Sequence, residues 1–84
     1  MITIIIDSRL KDINILQDVD TNDIGTALKK VFRDRGIKNK MIHNVRVVES
    51  YRPKFYQTFD AKYDSDTNQL LYRRSGYNYP FDVK

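Results

Sequence analysis

Basic and aromatic residues interleave through the middle of this 84-residue sequence. Lysine and arginine hold phosphates, while exposed tyrosine rings and guanidinium planes stack on unpaired bases. A β-strand places alternate residues on one face, so this spacing predicts a sheet face that contacts RNA or single-stranded DNA. Between Val45 and Arg74 the six cations and six aromatic residues are Arg46, Arg52, Lys54, Lys62, Arg73 and Arg74 with Tyr51, Phe55, Tyr56, Phe59, Tyr63 and Tyr72.

The positive charge is concentrated in one part of the chain. Residues 1–28 hold two basic and five acidic residues (net −3), residues 29–56 hold nine and two (net +7), and residues 57–84 hold four of each. A local excess of this kind is typical of a surface that attracts phosphate. Cations that only solvate a helix and its loops, with tyrosines that are simply good sheet formers, would give the same composition, and this alternative stays open.

We predict that this region binds nucleic acid, with RNA as the expected ligand. The sequence contains no RNP-type motif, GXXG loop or zinc-knuckle spacing, so the prediction depends on composition and spacing. At least one of Arg73 and Arg74 should share the basic face. The other phosphate contacts are predicted at Lys29, Lys30, Arg33, Arg35, Lys38, Lys40, Arg46, Arg52, Lys54 and Lys62, and the stacking residues at Tyr51, Tyr56 and Tyr72.

Catalytic chemistry has little support in the sequence. His43 is the only histidine, and there is no cysteine. A ribonuclease could place His43, Arg46, Lys54 and Tyr56 around a scissile phosphate, which keeps a small endoribonuclease as an alternative. A lone histidine in a strand is more often a packing or surface residue, so we predict a non-catalytic protein.

The sequence also lacks a convincing metal or cofactor motif. Asp64, Asp66 and Asn68 imitate the first half of an EF-hand loop, but Gln69 replaces its glycine and Ser75 its bidentate glutamate. A hairpin turn is the better interpretation of these residues. There is no Walker loop and no dinucleotide fingerprint, so we expect no metal and no cofactor.

One amphipathic helix is predicted over residues 21–35. Its apolar positions recur at the helical period and form a single stripe. Asp20 is the expected N-cap, with Asp23 three residues later as in a capping box, and Gly36 is expected to end the helix. Gly25 weakens the first turn, which suggests close packing at that position. The stripe consists of Ile24, Ala27, Leu28, Val31 and Phe32.

The strands that must position the basic face are predicted from alternation of apolar and polar residues. They span residues 2–6, 10–16, 41–50, 54–63 and 69–74, with a turn at Asp7 and Ser8. These elements give an α+β fold, an antiparallel sheet of four or five strands in the order ββαβββ with the helix on one face. A short loop at 51–53 would pair Glu49 with Phe55, Val47 with Gln57 and Val45 with Phe59. The opposite face would then carry Arg46, Val48, Lys54, Tyr56, Thr58 and Lys62.

Length and composition predict one domain over residues 1–84. The chain has no cysteine, no charged-then-apolar leader and no apolar run near the roughly 20 residues of a membrane helix, so we expect a cytoplasmic protein without membrane contact. So small a core leaves little net stability, and a homo-oligomer or a partner could add to it. The aromatic segment 75–84 is expected to pack on the sheet or on a partner.

The chain as a whole resembles the small early counter-defence proteins of T4-like bacteriophages, the TifA-like inhibitors of the ToxN endoribonuclease toxin. The resemblance is carried by length, by Ile, Asn, Asp and Lys usage, by the stretch Lys29 to Lys54, and by the run Tyr51-Arg52-Pro53-Lys54-Phe55-Tyr56. It implies an RNA-binding protein of the host cytoplasm that blocks a host toxin–antitoxin endoribonuclease, with RNA as part of the complex. A basic protein-binding inhibitor that uses no RNA, an endoribonuclease toxin and a phage assembly component remain alternatives.

Overall fold

Six strands and one helix make up the regular structure in the computed structural model, which describes residues 1–8, 12–76 and 78–84. The strands form one antiparallel sheet in the order β2-β1-β3-β4-β5-β6. The α+β class and the single helix are as predicted, but the sheet has six strands rather than four or five. The elements are β1 (Ile2–Ser8), β2 (Ile13–Val19), α1 (Ile24–Asp34), β3 (Ile42–Glu49), β4 (Gln57–Asp64), β5 (Gln69–Arg74) and β6 (Asp82–Val83).

The sixth strand comes from the aromatic end of the sequence. Val83 pairs with Leu71 and Asp82 with Tyr72, and the Lys84 amide donates to the Leu70 carbonyl at 2.8 Å. This confirms that the segment packs back on the sheet. A two-residue strand is too short to show a period, which explains why the sequence pattern does not reveal it. Tyr77 lies outside the described residues.

The first hairpin differs from the prediction in its turn. β1 continues through the predicted turn residues, because Asp7 pairs with Asn14 and Ser8 with Ile13. The second strand lies three residues later than predicted, at Ile13–Val19. Burial of Ile15 and Val19 on the helix side of the sheet favours this later strand. Leu10, the predicted start of the strand, lies outside the described residues.

The helix begins three residues later than predicted, with Asp23 rather than Asp20 as its N-cap. The Asp23 backbone is extended, and its Oδ2 accepts a hydrogen bond from the Thr26 amide at 3.0 Å. The Thr21 amide instead bonds the Val19 carbonyl, which holds this stretch in a turn. Gly36 has φ of +65° just after the helix, as a left-handed terminating residue should.

The predicted helix stripe fills the core. Ala27, Leu28, Val31 and Phe32 are fully buried against one face of the sheet, which supplies Ile2, Ile4, Ile6, Val45, Val47, Ala61 and Leu70. No helix of the described chain covers the other face, which we call the open face. It carries the side chains that alternate with the core residues, including Arg46, Thr58, Asp60, Lys62 and Arg73.

The β3–β4 connection is longer than predicted. The pairs Val47–Gln57 and Val45–Phe59 are confirmed, but β4 begins at Gln57 instead of Lys54. Two turns replace the expected extension of the strand, with the Arg52 amide donating to the Glu49 carbonyl and the Phe55 amide to the Arg52 carbonyl. Pro53 lies between them and lacks the amide that a strand ladder needs. Residues 50–56 therefore form a loop, and the predicted pairing of Glu49 with Phe55 is wrong.

Candidate nucleic-acid interface

Fourteen of the fifteen predicted contact residues occupy distinct parts of the surface, and the fifteenth, Tyr72, packs against Gly25. The open face and the helix lie on opposite sides of the sheet, so no single flat surface contains all of them. The helix group comprises Lys29, Lys30 and Arg33 of α1, Arg35 at its C-cap, and Lys38 and Lys40 in the connection to β3. The aromatic loop, residues 50–56, holds Tyr51, Arg52, Lys54 and Tyr56. The open face holds Arg46, Lys62 and Arg73, while Arg74 projects from the helix side of β5 beside Phe59.

The aromatic loop and the open face meet at Tyr56. The Arg46 guanidinium lies over the Tyr56 ring, 5.5 Å from its centroid. Arg46 is positioned by β3, where it pairs with Thr58, and Tyr56 is the last residue before β4. Such a stack pre-positions a cation and an aromatic plane together, which is the combination that binds a phosphate and an unpaired base.

The aromatic loop exposes three large rings. Tyr51 is 72% exposed, Phe55 71% and Tyr56 59%, although aromatic rings usually contribute buried area. The Arg52 guanidinium lies 6.0 Å from the centroid of the Phe55 ring. Phe55 was expected on the buried side of β4, so it is an exposed aromatic that sequence reasoning missed. Pro53, two residues earlier, is the feature that indicates a loop here.

A groove beside the aromatic loop collects further predicted residues. Arg52, Tyr56 and Arg74 line it together with Val47, Glu49, Phe55 and Gln57. Val47 and Gln57 are a pair on the helix side of the sheet. Since they line this groove together with loop residues, the loop extends around the end of the sheet to its helix side. Arg74 thus joins the loop, and its guanidinium lies 5.7 Å from the centroid of the Tyr79 ring.

Arg73 is the member of the Arg73/Arg74 pair that lies on the open face, which confirms that at least one reaches it. Its Nε lies 3.4 Å from Oδ2 of Asp60, the residue opposite it on β4. Its guanidinium also lies 4.4 Å from the centroid of the Phe81 ring. Strand register decides this assignment, because neighbouring residues of β5 point to opposite faces.

Asp60 is a buried carboxylate that sequence reasoning missed as a functional candidate. Its Oδ1 accepts hydrogen bonds from Ser75 Oγ at 2.9 Å and from the Asn44 amide at 3.2 Å. His43 Nδ1 lies 3.2 Å from the same oxygen. Burial alone would raise the pKa of Asp60, but the hydrogen bonds from Ser75, Asn44 and His43 outweigh burial and lower it. In the sequence, Asp60 looks like one more polar residue of an alternating strand.

Several cations of the helix group are already engaged within the protein. Lys30 Nζ forms an ion pair with Asp34 Oδ2 at 3.1 Å, and its hydrogen bond lowers the pKa of Asp34. Arg35 Nε donates to Gln17 Oε1 at 2.9 Å, and Lys29 Nζ to the Lys84 carbonyl at 3.0 Å. Exposed pairs of this kind are weak, so they reduce the availability of these cations to RNA without abolishing it.

Tyr72, predicted to stack on bases, is directed into the protein. It is half-buried on the helix side of β5, against Gly25, and its ring centroid lies 6.3 Å from that of Phe59. Burial raises the pKa of Tyr72, with smaller contributions from Asp23 and Asp82. The expectation of close packing at Gly25 is confirmed. Tyr72 lies in that contact and not on the open face, and the stacking role predicted for it stays a prediction.

The EF-hand-like residues form a hairpin turn. Asp64 Oδ1 accepts from the amides of Asp66 at 2.9 Å and Thr67 at 3.4 Å, so this carboxylate serves the turn between β4 and β5. Within residues 1–8, 12–76 and 78–84, no group of three or more acidic, histidine or cysteine side chains is placed to hold a metal ion. No helix in those same ranges is long and apolar enough to span a membrane.

Comparisons of the chain with protein-family models, with curated proteins and with solved structures find no match. Function is therefore inferred from the side chains themselves. Of the ribonuclease set considered from the sequence, Arg46 and Tyr56 are in contact, Lys54 lies in the aromatic loop, and His43 bonds Asp60.

Proposed function

We propose that this protein is a non-catalytic RNA-binding protein that contacts single-stranded RNA through the aromatic loop and the adjoining open face. The observation that carries the proposal is the Arg46–Tyr56 stack, which continues into a loop with two further exposed rings, Tyr51 and Phe55. A base that stacks on an aromatic ring contributes about 1 to 3 kcal/mol, irrespective of sequence. This combination supports RNA or single-stranded DNA over a duplex, whose bases are already stacked.

The placement of the tyrosines argues against a purely structural role. Tyrosines are favoured in strands because their rings pack on the pleated surface. Tyr51 and Tyr56 lie in the loop, outside any strand, so sheet propensity does not explain them. Arg46, Arg52 and Lys54 form no ion pair within the described part of the chain, and this leaves their charges for phosphates.

The resemblance to TifA-like phage proteins extends the proposal to a biological role. By this proposal the protein acts in the host cytoplasm as a counter-defence inhibitor of a toxin–antitoxin endoribonuclease. It would bind the toxin together with RNA and prevent cleavage by occupying RNA and enzyme at once. The net charge of +4 and the position of the basic loop are compatible with such a role.

The test is RNA binding by the purified protein and by two double variants, one that lacks two cations and one that lacks two carboxylates. The absorbance ratio at 260 and 280 nm, before and after high salt and ribonuclease, reports co-purifying nucleic acid. A labelled single-stranded RNA is then titrated at several salt concentrations. Arg46→Gln with Lys54→Gln should weaken binding and reduce the salt slope by about 1.4, since each phosphate contact contributes about 0.7. Asp12→Asn with Asp18→Asn should not weaken binding.

The outcomes separate the proposal from its alternatives. Equal effects of the two double variants would exclude the proposed face. A clean protein that binds no RNA at low salt, yet captures an acidic protein partner after ribonuclease treatment, would indicate a protein-binding inhibitor. Cleavage of the probe that is lost in His43→Ala or Tyr56→Ala would indicate an endoribonuclease.

A further inference from the structure

A row of side chains on β3, β4 and β5, continued by Phe81 just before β6, includes the buried Asp60 on the open face. The Asp60 side chain is only 8% exposed, and a buried carboxylate is costly unless it is paired and hydrogen-bonded. Its partners include two side chains, His43 and Arg73, that reach it from the neighbouring strands on either side. The Arg46–Tyr56 contacts proposed above do not use this row.

A β-bulge places His43 in the row. The β3–β4 register shifts between Ile42 and Val45, and Asn44 within it has φ of +58°. Bulges redirect side chains and occur often beside functional sites. A carboxylate can only accept hydrogen bonds, so the His43 Nδ1 atom that faces Asp60 carries a hydrogen. The Nε2 atom is then left for a ligand on a side chain that is 63% exposed.

Arg73 and Phe81 complete the row. Arg73 donates a hydrogen bond from Nε to Asp60 Oδ2. The terminal amino groups of its guanidinium are left for a further acceptor. The Phe81 ring lies 4.4 Å from that guanidinium, next to the pairing of β6 with β5. Phe81 is 39% exposed, so part of the ring remains open for a base.

We propose that His43, Arg73 and Phe81, positioned by Asp60, form a nucleotide-binding site for single-stranded RNA. The imidazolium Nε2 and the Arg73 guanidinium hold one phosphodiester, and the Phe81 ring stacks on an adjacent base. This site rests on the proposed RNA-binding function and extends it. Thr58, opposite Arg46, lies two residues from Asp60 on β4, a distance of about 6.8 Å along the strand, so one short oligonucleotide can reach both.

The proposal predicts a dependence on pH that Arg46 and Tyr56 cannot produce. With its hydrogen on Nδ1, a neutral imidazole offers Nε2 only as an acceptor, which repels phosphate oxygens. Protonation of the imidazole adds a hydrogen to Nε2 and makes it a donor. The charged groups on the open face near His43 are the Asp60 carboxylate, the Arg73 guanidinium across it, Lys62 two residues along β4, and Asp7 on β1, the other strand beside β3.

The experiment measures binding of labelled oligouridylate by anisotropy at pH 5.5 and pH 8, each at several salt concentrations. Uracil does not titrate in this range, so the probe is constant. His43→Asn retains a donor at the position of Nδ1 and removes Nε2. It should bind about 3- to 10-fold more weakly than the unaltered protein at pH 5.5, with a salt slope smaller by about 0.7, and equally well at pH 8.

Two further variants test the rest of the row. Phe81→Leu should weaken binding about 5- to 100-fold at both pH values, whereas Phe81→Tyr should not. Asp60→Asn should remove the pH dependence of binding although His43 is still present, because the Asp60 carboxylate holds the imidazole in position. If Asp60→Asn fails to fold, His43→Asn is compared with the unaltered protein, after thermal unfolding has shown that both are folded. This comparison still decides whether His43 contacts RNA.

The results distinguish failure of this site from failure of RNA binding itself. If Arg46→Gln with Tyr56→Leu loses binding while His43→Asn has the same affinity and salt slope as the unaltered protein at pH 5.5, the protein binds RNA but not at this site. Equal losses for His43→Asn at both pH values would also overturn the site, since the role of His43 would then be structural. Unchanged binding by Phe81→Leu would overturn the base contact. If the unaltered protein binds no oligouridylate at either pH, the RNA-binding proposal fails.

Discussion

At the scale of single residues, Gly25 shows how a contact from another element can reverse a local preference. An ideal Cβ at Gly25 would lie 2.7 Å from Tyr72 Oη and 2.8 Å from Cζ. Phe59 lies next to the Tyr72 ring, so displacing that ring would cost packing in the core. The absence of a side chain at position 25 is thus a requirement of tertiary packing.

Gly25→Ala is therefore expected to destabilise the protein. Alanine favours a helix by about 1 kcal/mol over glycine, but overpacking costs about 1 to 3 kcal/mol, and the contact with Tyr72 should prevail. Urea denaturation of Gly25→Ala, alone and combined with Tyr72→Leu, measures the free energy of unfolding. The loss should be smaller in the Tyr72→Leu background, and a Gly25→Ala protein more stable than the unaltered chain would contradict the predicted clash.

Asp23 makes folding stability depend on acid pH. Hydrogen bonds from the Thr26 side chain, from Lys84 and from the Thr26 amide lower the pKa of Asp23 from 3.8 to about 2. A group whose pKa is lower in the folded protein stabilises it above its unfolded pKa, and this contribution is lost as pH falls. Because Asp23 is half-exposed, solvent screening keeps this contribution below about 1 kcal/mol.

We expect the melting temperature to fall between pH 4 and pH 2, partly through Asp23. Asp23→Asn keeps an N-cap acceptor but does not titrate, so its melting temperature should fall less steeply over that range. Asp23→Ala removes the cap and should lower the free energy of unfolding at pH 7 by about 1 kcal/mol. If the melting temperatures of all three proteins fall by the same amount from pH 4 to pH 2, Asp23 does not contribute to this pH dependence.

At the scale of elements, the aromatic loop separates two phenylalanines that the sequence pattern treats alike. Phe55 and Phe59 are four residues apart, so a continuous strand would put both on one face. The two turns closed by the Arg52 and Phe55 amides prevent a strand from forming before Gln57. Phe59 then packs in the core while Phe55 is exposed.

Substitution of the two phenylalanines should therefore have opposite consequences. Phe59→Ala should cost about 3 to 5 kcal/mol of folding stability, as core truncations do. Phe55→Ala should change stability by less than about 0.5 kcal/mol and weaken single-stranded RNA binding by about 5- to 100-fold. Urea denaturation and RNA titration of the same preparations check both parts, and a strongly destabilised Phe55→Ala protein would show that Phe55 packs in the core.

At the scale of the whole molecule, the sheet divides the positive charge between two sides. Arg46 lies on the open face, while the helix carries Lys29 and Arg33 on the other side. A groove along the helix is lined by Lys29, Lys30, Arg33 and Lys84 with Thr26 and Asp34. It contains no aromatic residue on which a base could stack. Proximity to exposed rings, and not charge alone, should decide which cations hold RNA.

A comparison of two variants with equal net charge tests this division. Lys29→Gln with Arg33→Gln should reduce the salt slope of RNA binding less than Arg46→Gln with Lys54→Gln, for which we expect a reduction of about 1.4. Both double variants remove two positive charges, so an effect of overall charge would be the same in each. Titrations of one labelled RNA at matched salt concentrations measure the slopes, and identical slopes would mean that RNA binding does not distinguish the two sides.

Features that follow from local periodicity could be predicted from the sequence. The helix stripe, its end at Gly36, the α+β class and the pairing of Val45 with Phe59 were all predicted, because alternation and the helical period act between near neighbours. The sixth strand and the exact helix start could not be predicted, since a two-residue strand has no period and several aspartates could cap the helix.

Which candidate contact residues lie together on the surface depends on the tertiary fold and could not be read from the sequence. The sequence pattern grouped all fifteen basic and tyrosine candidates together, but α1 carries Lys29, Lys30 and Arg33 on the side of the sheet opposite Arg46. Tyr72 is turned inward against Gly25, Phe55 is turned outward, and Asp60 gathers His43 and Arg73 from neighbouring strands. These outcomes depend on which face the helix covers and on strand register, and both are set by contacts between residues far apart in the chain.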